Sequence, residues 1–150
     1  MGETGRVAKP LAKYAPYRRA GDLVFLAGIV AADPDIGKVV EGYQDLPEED
    51  REKAGYTGDM STDSKEGPIA AQAWYIMSRL QETVTDLGGT LENIVYVTQF
   101  FRDLRDFPIY DRIRSTFFDV LPASTVVEVK ELLPTPVSRL EVQAVVYLPE

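Results

Sequence analysis

No cysteine and no histidine occur among the 150 residues. Without cysteine there is no disulfide, no thiolate nucleophile and no thiolate metal site. Without histidine the usual general base is gone, and with it the Ser-His-Asp arrangement and most zinc chemistry. Any catalysis is left to carboxylates, tyrosine, hydroxyls, Lys/Arg, backbone groups and water. A long apolar run is missing too: nothing approaches the roughly 18 residues that a membrane span needs. The residues that follow Met1 lack the hydrophobic stretch of a signal peptide. The expectation is a cytoplasmic protein with no membrane association.

Positive charge is in short supply. Sixteen Lys and Arg stand against 24 Asp and Glu, a formal net charge of −8. A nucleic-acid binder draws its affinity largely from neutralising phosphates. The local basic clusters here (Arg18-Arg19, Arg102 with Arg105, Arg112 with Arg114) are mostly flanked by acids, so nucleic acid is disfavoured as a partner. No cofactor or metal is called for. Asp45, Glu48, Glu49 and Asp50 form an acidic run without the spacing or the glycine of a calcium loop. Gly88-Gly89 is not followed by the Gly-Lys-Ser/Thr of a phosphate loop.

What is present describes one globular domain over residues 1–150, with 45% apolar and 10% aromatic residues to build its core. Residues 6–12 read as a short strand, placed at an edge by Pro10. Leu23 to Val30 is almost uninterrupted apolar and reads as a strand buried on both faces. Gly28 within it marks either a bulge or a close approach of ligand or backbone. Asp33-Pro34-Asp35-Ile36-Gly37 is a turn, and residues 38–41 a return strand. Residues 42–67 are rich in charge, Gly and Pro, with a short helix at 47–54. Ala70, Ala73, Met77, Leu80, Val84 and Leu87 then recur in steps of three and four, an amphipathic helix with Pro68 near its start and Gly88-Gly89 at its end. Trp74 beside that stripe reads as core packing. Residues 94–101 are a buried strand, and Pro108 opens a helix that runs to about Leu121.

The last thirty residues organise the rest. Val126, Val127 and Val129, then Leu140, Val142, Val145 and Val146, give two strands. Between them, Pro134 and Pro136 keep the chain out of regular pairing. This arrangement is expected to bring Ser124 and Thr125 into the same general region as Glu141. The order ββ(β)αβαββ implies an α+β fold, a mixed sheet with two helices packed on one face. Because neither side of residues 23–27 is polar, a single copy would expose an apolar patch, which points to an oligomer.

Pro122-Ala123-x-x-x-Val127-x-Val129, a proline-containing turn, and a strand with x-Glu141-x-x-Ala144 resemble the C-terminal signature of the Rid/YjgF family, also called endoribonuclease L-PSP or translation-inhibitor proteins. Pro16-Tyr17 before a strand ending in Gly28, the Asp33-Pro34-x-x-Gly37 turn, and Asp103-Leu104-x-Asp106-Phe107 before a helix with Phe117-Phe118 follow the family order. The resemblance spans residues 10–148 apart from 42–67, where the family has a shorter connection, so that stretch reads as an insertion. It implies a chorismate-mutase-like fold, a homotrimer, and small-molecule clefts between subunits. In that family the residue after Pro-Ala is an arginine that holds the substrate carboxylate in imine-hydrolysing members. Here it is Ser124. Losing such a bidentate, charge-assisted pair weakens binding of an anionic substrate by about 2–5 kcal/mol.

The resemblance implies Glu141 as the catalytic group, ordering a water, with Tyr17 lining the ligand cleft; Gly28, by its backbone, and Ser124 and Thr125, by their hydroxyls, are further candidates for binding substrate. Each also has a plainer reading: a solvent-facing strand residue for Glu141, edge packing for Tyr17, a bulge for Gly28, strand-entry hydrogen bonds for Ser124 and Thr125. Arg18, Arg19 or Arg139 is a candidate for a relocated positive charge, or else a solvated surface cation. The expected function is hydrolysis of an enamine or imine with release of ammonia. A non-catalytic metabolite-binding trimer is the alternative, and ribonuclease activity fits least, given the missing histidine and the net charge.

Overall fold

The computed structural model describes residues 10–150. Residues 6–9 of the expected first strand lie outside that range, and 10–14 bend without pairing. The sheet begins instead with a hairpin, β1 (Tyr17–Ala20) and β2 (Leu23–Leu26), in register Tyr17 to Leu26 and Ala20 to Leu23. Its tight turn is possible because Gly21 takes φ 63°, a left-handed conformation that costs glycine little.

The apolar run 23–30 is not one strand. It breaks at Ala27-Gly28 into β2 and β3 (Ile29–Val30), and both pair antiparallel with β8 (Leu140–Tyr147). β4 (Ala32–Asp33) and β5 (Lys38–Val39) form a separate two-stranded ribbon. In the main sheet the order is β1-β2-β8-β6-β7, where β6 is Ile94–Phe101 and β7 is Ala123–Glu128. Among the described residues only the β6–β7 pair is parallel. The crossover between those two strands is α3 (Phe107–Ser115), because parallel neighbours cannot be joined by a tight turn.

Residues 42–67 contain more structure than a loop. A short 3-10 turn at Tyr43–Asp45 and α1 (Glu48–Ala54) lead into α2 (Met60–Asp86), which starts well before Pro68. The Asp59 side chain caps its first turn by accepting from the Ser61 amide at 3.0 Å. Asp63 clasps the incoming chain, accepting from the Thr57 amide and hydroxyl and the Gly58 amide. Pro68 is tolerated inside the helix partly because its predecessor is Gly67, with no Cβ to meet the proline ring. The same missing Cβ lets the Tyr43 ring approach, to 3.2 Å of where a Cβ would stand.

Along β8 the pattern is strict: Leu140, Val142, Ala144 and Val146 are buried, and their alternates are not. The buried set faces α2, whose Ala70, Ala73, Met77, Leu80 and Val84 are all fully covered. Burying each large side chain there contributes about 1.5–3 kcal/mol. Trp74 packs edge-on against Phe117 with ring centroids 4.9 Å apart, as part of this core. α3 adds Tyr110 and Ile113 to the same side and ends at Ser115, short of the expected Leu121, where the Thr116 hydroxyl bonds back to the Ile113 carbonyl. Both helices therefore cover one sheet face. The opposite face presents Phe25, Tyr96, Val127 and Tyr147, each more than a third exposed.

Candidate functional site

Strand parity decides where each candidate points. Glu141 pairs with Phe100 and Val30 and lies between the buried Leu140 and Val142, so its side chain is on the open face. There its carboxylate rests against Gly28: a Cβ built on Gly28 would collide with it, standing 2.8 Å from Glu141 Cδ. The break between β2 and β3 places a residue without a side chain beside the acid. Burial raises the Glu141 carboxyl above its usual 4.5, and no hydrogen bond or ion pair with a described residue offsets that. A half-buried carboxylate with unused lone pairs can order a water and accept a proton from it.

Thr125 shares the open face, opposite Thr98, and its hydroxyl is paired with that of Tyr96. Ser124, one residue earlier, points to the other side. Its hydroxyl lies 2.9 Å from Gln99 Nε2, and Gln99 is fully buried on the helix-covered face. The expectation that Ser124 and Glu141 come together is therefore not met within one chain. They stand two strands apart on opposite faces, because neighbouring positions on a strand alternate sides.

Tyr17 is further away. It sits on β1, one outer strand of the sheet, and Ser124 on β7, the other. Four strand spacings separate them, about 19 Å. Arg139 is engaged elsewhere: Nη1 reaches the Asp106 carboxylate at 3.3 Å, and its backbone amide donates to Gln72 Oε1. Burial raises the Asp106 carboxyl, and the Arg139 charge only partly counters that. Arg19 donates to the Gly21 and Leu148 carbonyls. Arg18 stands opposite Phe25 on β1, far from Ser124. None of the three arginines considered lies beside Ser124.

The guanidinium that does is Arg114, from α3. Its Nη1 donates to Ser124 Oγ at 3.2 Å and to Gln99 Oε1 at 2.6 Å. Asp111, one turn earlier, takes Nε and Nη2 at 3.2 and 2.7 Å, and the Phe107 and Tyr110 rings stack against the cation. Gln99 is the hub. Its amide donates to Ser124 Oγ and the Thr125 carbonyl, and its oxygen accepts from Arg114 and from the Tyr110 hydroxyl at 2.6 Å. Burial holds the Tyr110 phenol far above its usual titration range, so it stays a donor. Two signals for this cluster stood in the sequence: an Asp-x-x-Arg pair at helical spacing, and an amide at a buried position of β6.

A second buried glutamine steadies the approach to Glu141. Gln72 of α2 donates to the Val40 and Val137 carbonyls and accepts from the Arg139 amide, tying down the proline-containing connection. Beside Gly28 a cavity of about 780 Å³ opens between Ile29, Val30, Tyr75, Arg79 and Pro134. Its walls include neither Glu141 nor Ser124. Among the described residues no cluster of His, Cys, Asp or Glu is arranged to hold a metal ion, and no helix is long and apolar enough to cross a membrane.

A family model described as endoribonuclease L-PSP matches residues 5–148. The chain belongs to this family, the Rid/YjgF proteins. A solved structure named "putative endoribonuclease", from Klebsiella pneumoniae, is 47% identical, covers 91% of this chain and 100% of that one, and superposes with a TM-score of 0.88. A RutC family protein of Pyrococcus abyssi is 26% identical over 96% of this chain and 93% of its own length. The 3-aminoacrylate deaminase RutC of Acinetobacter baylyi is 24% identical over 93% of this chain and 90% of its own.

Proposed function

We propose that this Rid family protein hydrolyses a small enamine or imine, releasing ammonia, in a cleft formed between copies of the chain. The observation that carries the reading is Glu141: a half-buried carboxylate without a partner among the described residues, held against the bare backbone of Gly28. The deaminase name of the Acinetobacter baylyi relative supports the reaction class.

The chemistry asks little of the protein. An enamine first takes a proton on carbon to become an iminium. Water then adds to the C=N carbon as Glu141 accepts its proton. That proton passes to the nitrogen of the resulting carbinolamine, the C–N bond breaks as the carbinol hydroxyl gives up its own proton to Glu141 or water, and ammonia and a ketone leave. Such compounds hydrolyse readily, so holding water and substrate in line supplies much of the acceleration.

The distance separating Tyr17 from Ser124 supports a cleft between copies: a small ligand that contacts both needs them from two chains. The apolar open face, with Phe25, Tyr96 and Val127 exposed, supplies a surface for that association. A homotrimer is the assembly proposed.

The test is ammonia release from 2-iminobutyrate generated in place by a dehydratase, and from the uncharged enamine 3-aminocrotonamide. Wild type is expected to accelerate release from at least one, and Glu141→Gln to lose roughly 10²- to 10⁴-fold. No acceleration by wild type, or equal rates with Glu141→Gln, overturns the reading and leaves a metabolite-binding assembly.

A further inference from the structure

The hydrogen bonds around Ser124 determine which way its own proton points. The Gln99 amide can sit in only one orientation. The Thr125 carbonyl can only accept, which requires Nε2 on that side, and Arg114 can only donate, which requires Oε1 on the other. Gln99 therefore makes all four of its hydrogen bonds. One of them, with the second from Arg114 Nη1, places two N–H donors on Ser124 Oγ. Both lone pairs of that hydroxyl are then occupied. Its proton has no acceptor among the described residues and is directed outward, where Ser124 is exposed at the sheet edge.

Arg114 has one N–H in the same position. Of its five, Nε–H goes to Asp111, two on Nη1 go to Gln99 and Ser124, and one on Nη2 goes to Asp111. A single Nη2 proton remains. The serine hydroxyl, 3.2 Å from Nη1 of the same guanidinium, and this Nη2 proton make a two-pronged donor with no acceptor among the described residues. Gln99, Asp111 and the flanking rings hold both in place, so little conformational entropy is lost when an acceptor arrives.

The charge of the cluster decides the kind of acceptor. Arg114 is matched by Asp111 at 2.7 Å, and Gln99, Tyr110 and Ser124 are neutral, so the group as a whole carries no net charge. A carboxylate brought to Ser124 would meet the attraction of Arg114 and the repulsion of Asp111 together, and it would have to shed its hydration. A carbonyl or amide oxygen meets the same two donors with a far smaller desolvation penalty. We infer that Ser124 and Arg114 form a subsite for an uncharged carbonyl oxygen, and that the preferred ligand carries an amide, ester or ketone there in place of a carboxylate. This deepens the proposed reaction by naming its substrate class, and it rests on that reading for the ligand being a small imine or enamine.

Binding to stable ketones tests the subsite without any turnover. Calorimetric or NMR titration would compare 2-oxobutyramide with 2-oxobutyrate, on wild type, Ser124→Ala and Asp111→Asn, each checked by thermal melting. Wild type is expected to bind the amide more tightly. Ser124→Ala should weaken amide binding by roughly fivefold or more through the lost hydrogen bond. Asp111→Asn keeps an oxygen for Arg114 but removes the opposing charge, and should shift the preference toward the carboxylate by about tenfold. A merely structural role for the cluster would move both ligands together and leave the ratio untouched. Tighter binding of 2-oxobutyrate by wild type, no binding of either ketone, or an unchanged ratio in Asp111→Asn overturns the inference. Ammonia release without these responses would leave the deaminase reading standing alone, and these responses without ammonia release would leave the subsite standing alone.

Discussion

The carboxylate of Glu141 fills the space that a side chain on Gly28 would occupy. Gly28 carries no positive φ, so this position is glycine for reasons of space and not of backbone strain. An acid and a gap have been placed together by the break between β2 and β3.

Gly28→Ala should therefore act on the site and hardly on the fold. The atoms nearest to the new methyl all belong to the flexible Glu141 side chain, which can swing away. Stability is expected to change by less than about 1 kcal/mol. Ammonia release is expected to fall at least about tenfold, because the carboxylate leaves its position. Urea denaturation and initial rates on the same preparation check both halves. A variant that is fully active would show that the contact does not position Glu141.

The raised Glu141 titration makes stability depend on pH in a defined direction. A carboxyl whose folded pKa lies above its unfolded value favours the folded state fully below the unfolded value of 4.5, and that contribution is lost as pH rises through the folded pKa. Glu141→Gln removes the effect. The variant should gain stability relative to wild type on going from about pH 4 to about pH 8. Denaturation midpoints at the two pH values measure it, and a gap that stays constant would contradict the burial of this group. Turnover should show the matching trend, rising as Glu141 deprotonates above the ordinary carboxylate range.

Gln99→Leu keeps size and removes the hub. The Tyr110 hydroxyl, Arg114 and the Thr125 carbonyl each lose a partner in a covered environment. The expected loss is about 2–4 kcal/mol, seen as a lower denaturant midpoint with an unchanged slope. A loss within a few tenths of a kcal/mol would mean that water replaces the amide without difficulty.

Phe25→Asp and Val127→Asp place charges on the open sheet face, where both side chains are more than a third exposed. If that face is the assembly surface, sedimentation should show wild type as a trimer and the variants shifted to monomer. Deaminase activity should fall with them. Trimeric variants with full activity would place the interface elsewhere.

Several elements are legible along the chain because their signals are local. The stripe from Ala70 to Leu87 recurs at helical spacing; its first five positions are buried within α2, while Leu87 falls at the C-cap and is only partly buried. Residues 94–101 read as a strand and form β6 with those bounds. The final strands and the mixed sheet follow from alternation and from the turn between them. Boundaries set by side-chain hydrogen bonds were less visible. α2 begins at Met60 because Asp59 and Asp63 organise the residues around them, a signal masked by the charge, glycine and proline of that stretch.

The sequence by itself determined which chemistry is open to this protein. Lacking histidine and cysteine, it has carboxylates, hydroxyls and guanidinium groups to work with, and it puts an uncharged Ser124 after Pro122-Ala123. Only the tertiary structure decided how those groups are used. Facing is a matter of strand parity and of which sheet face the helices cover, so Ser124 and Thr125, adjacent in the chain, serve opposite sides. The cation beside Ser124 comes from Arg114, ten residues earlier on another element. No periodicity encodes that contact. It exists because α3 packs over β6 and β7, and packing is a property of the whole chain.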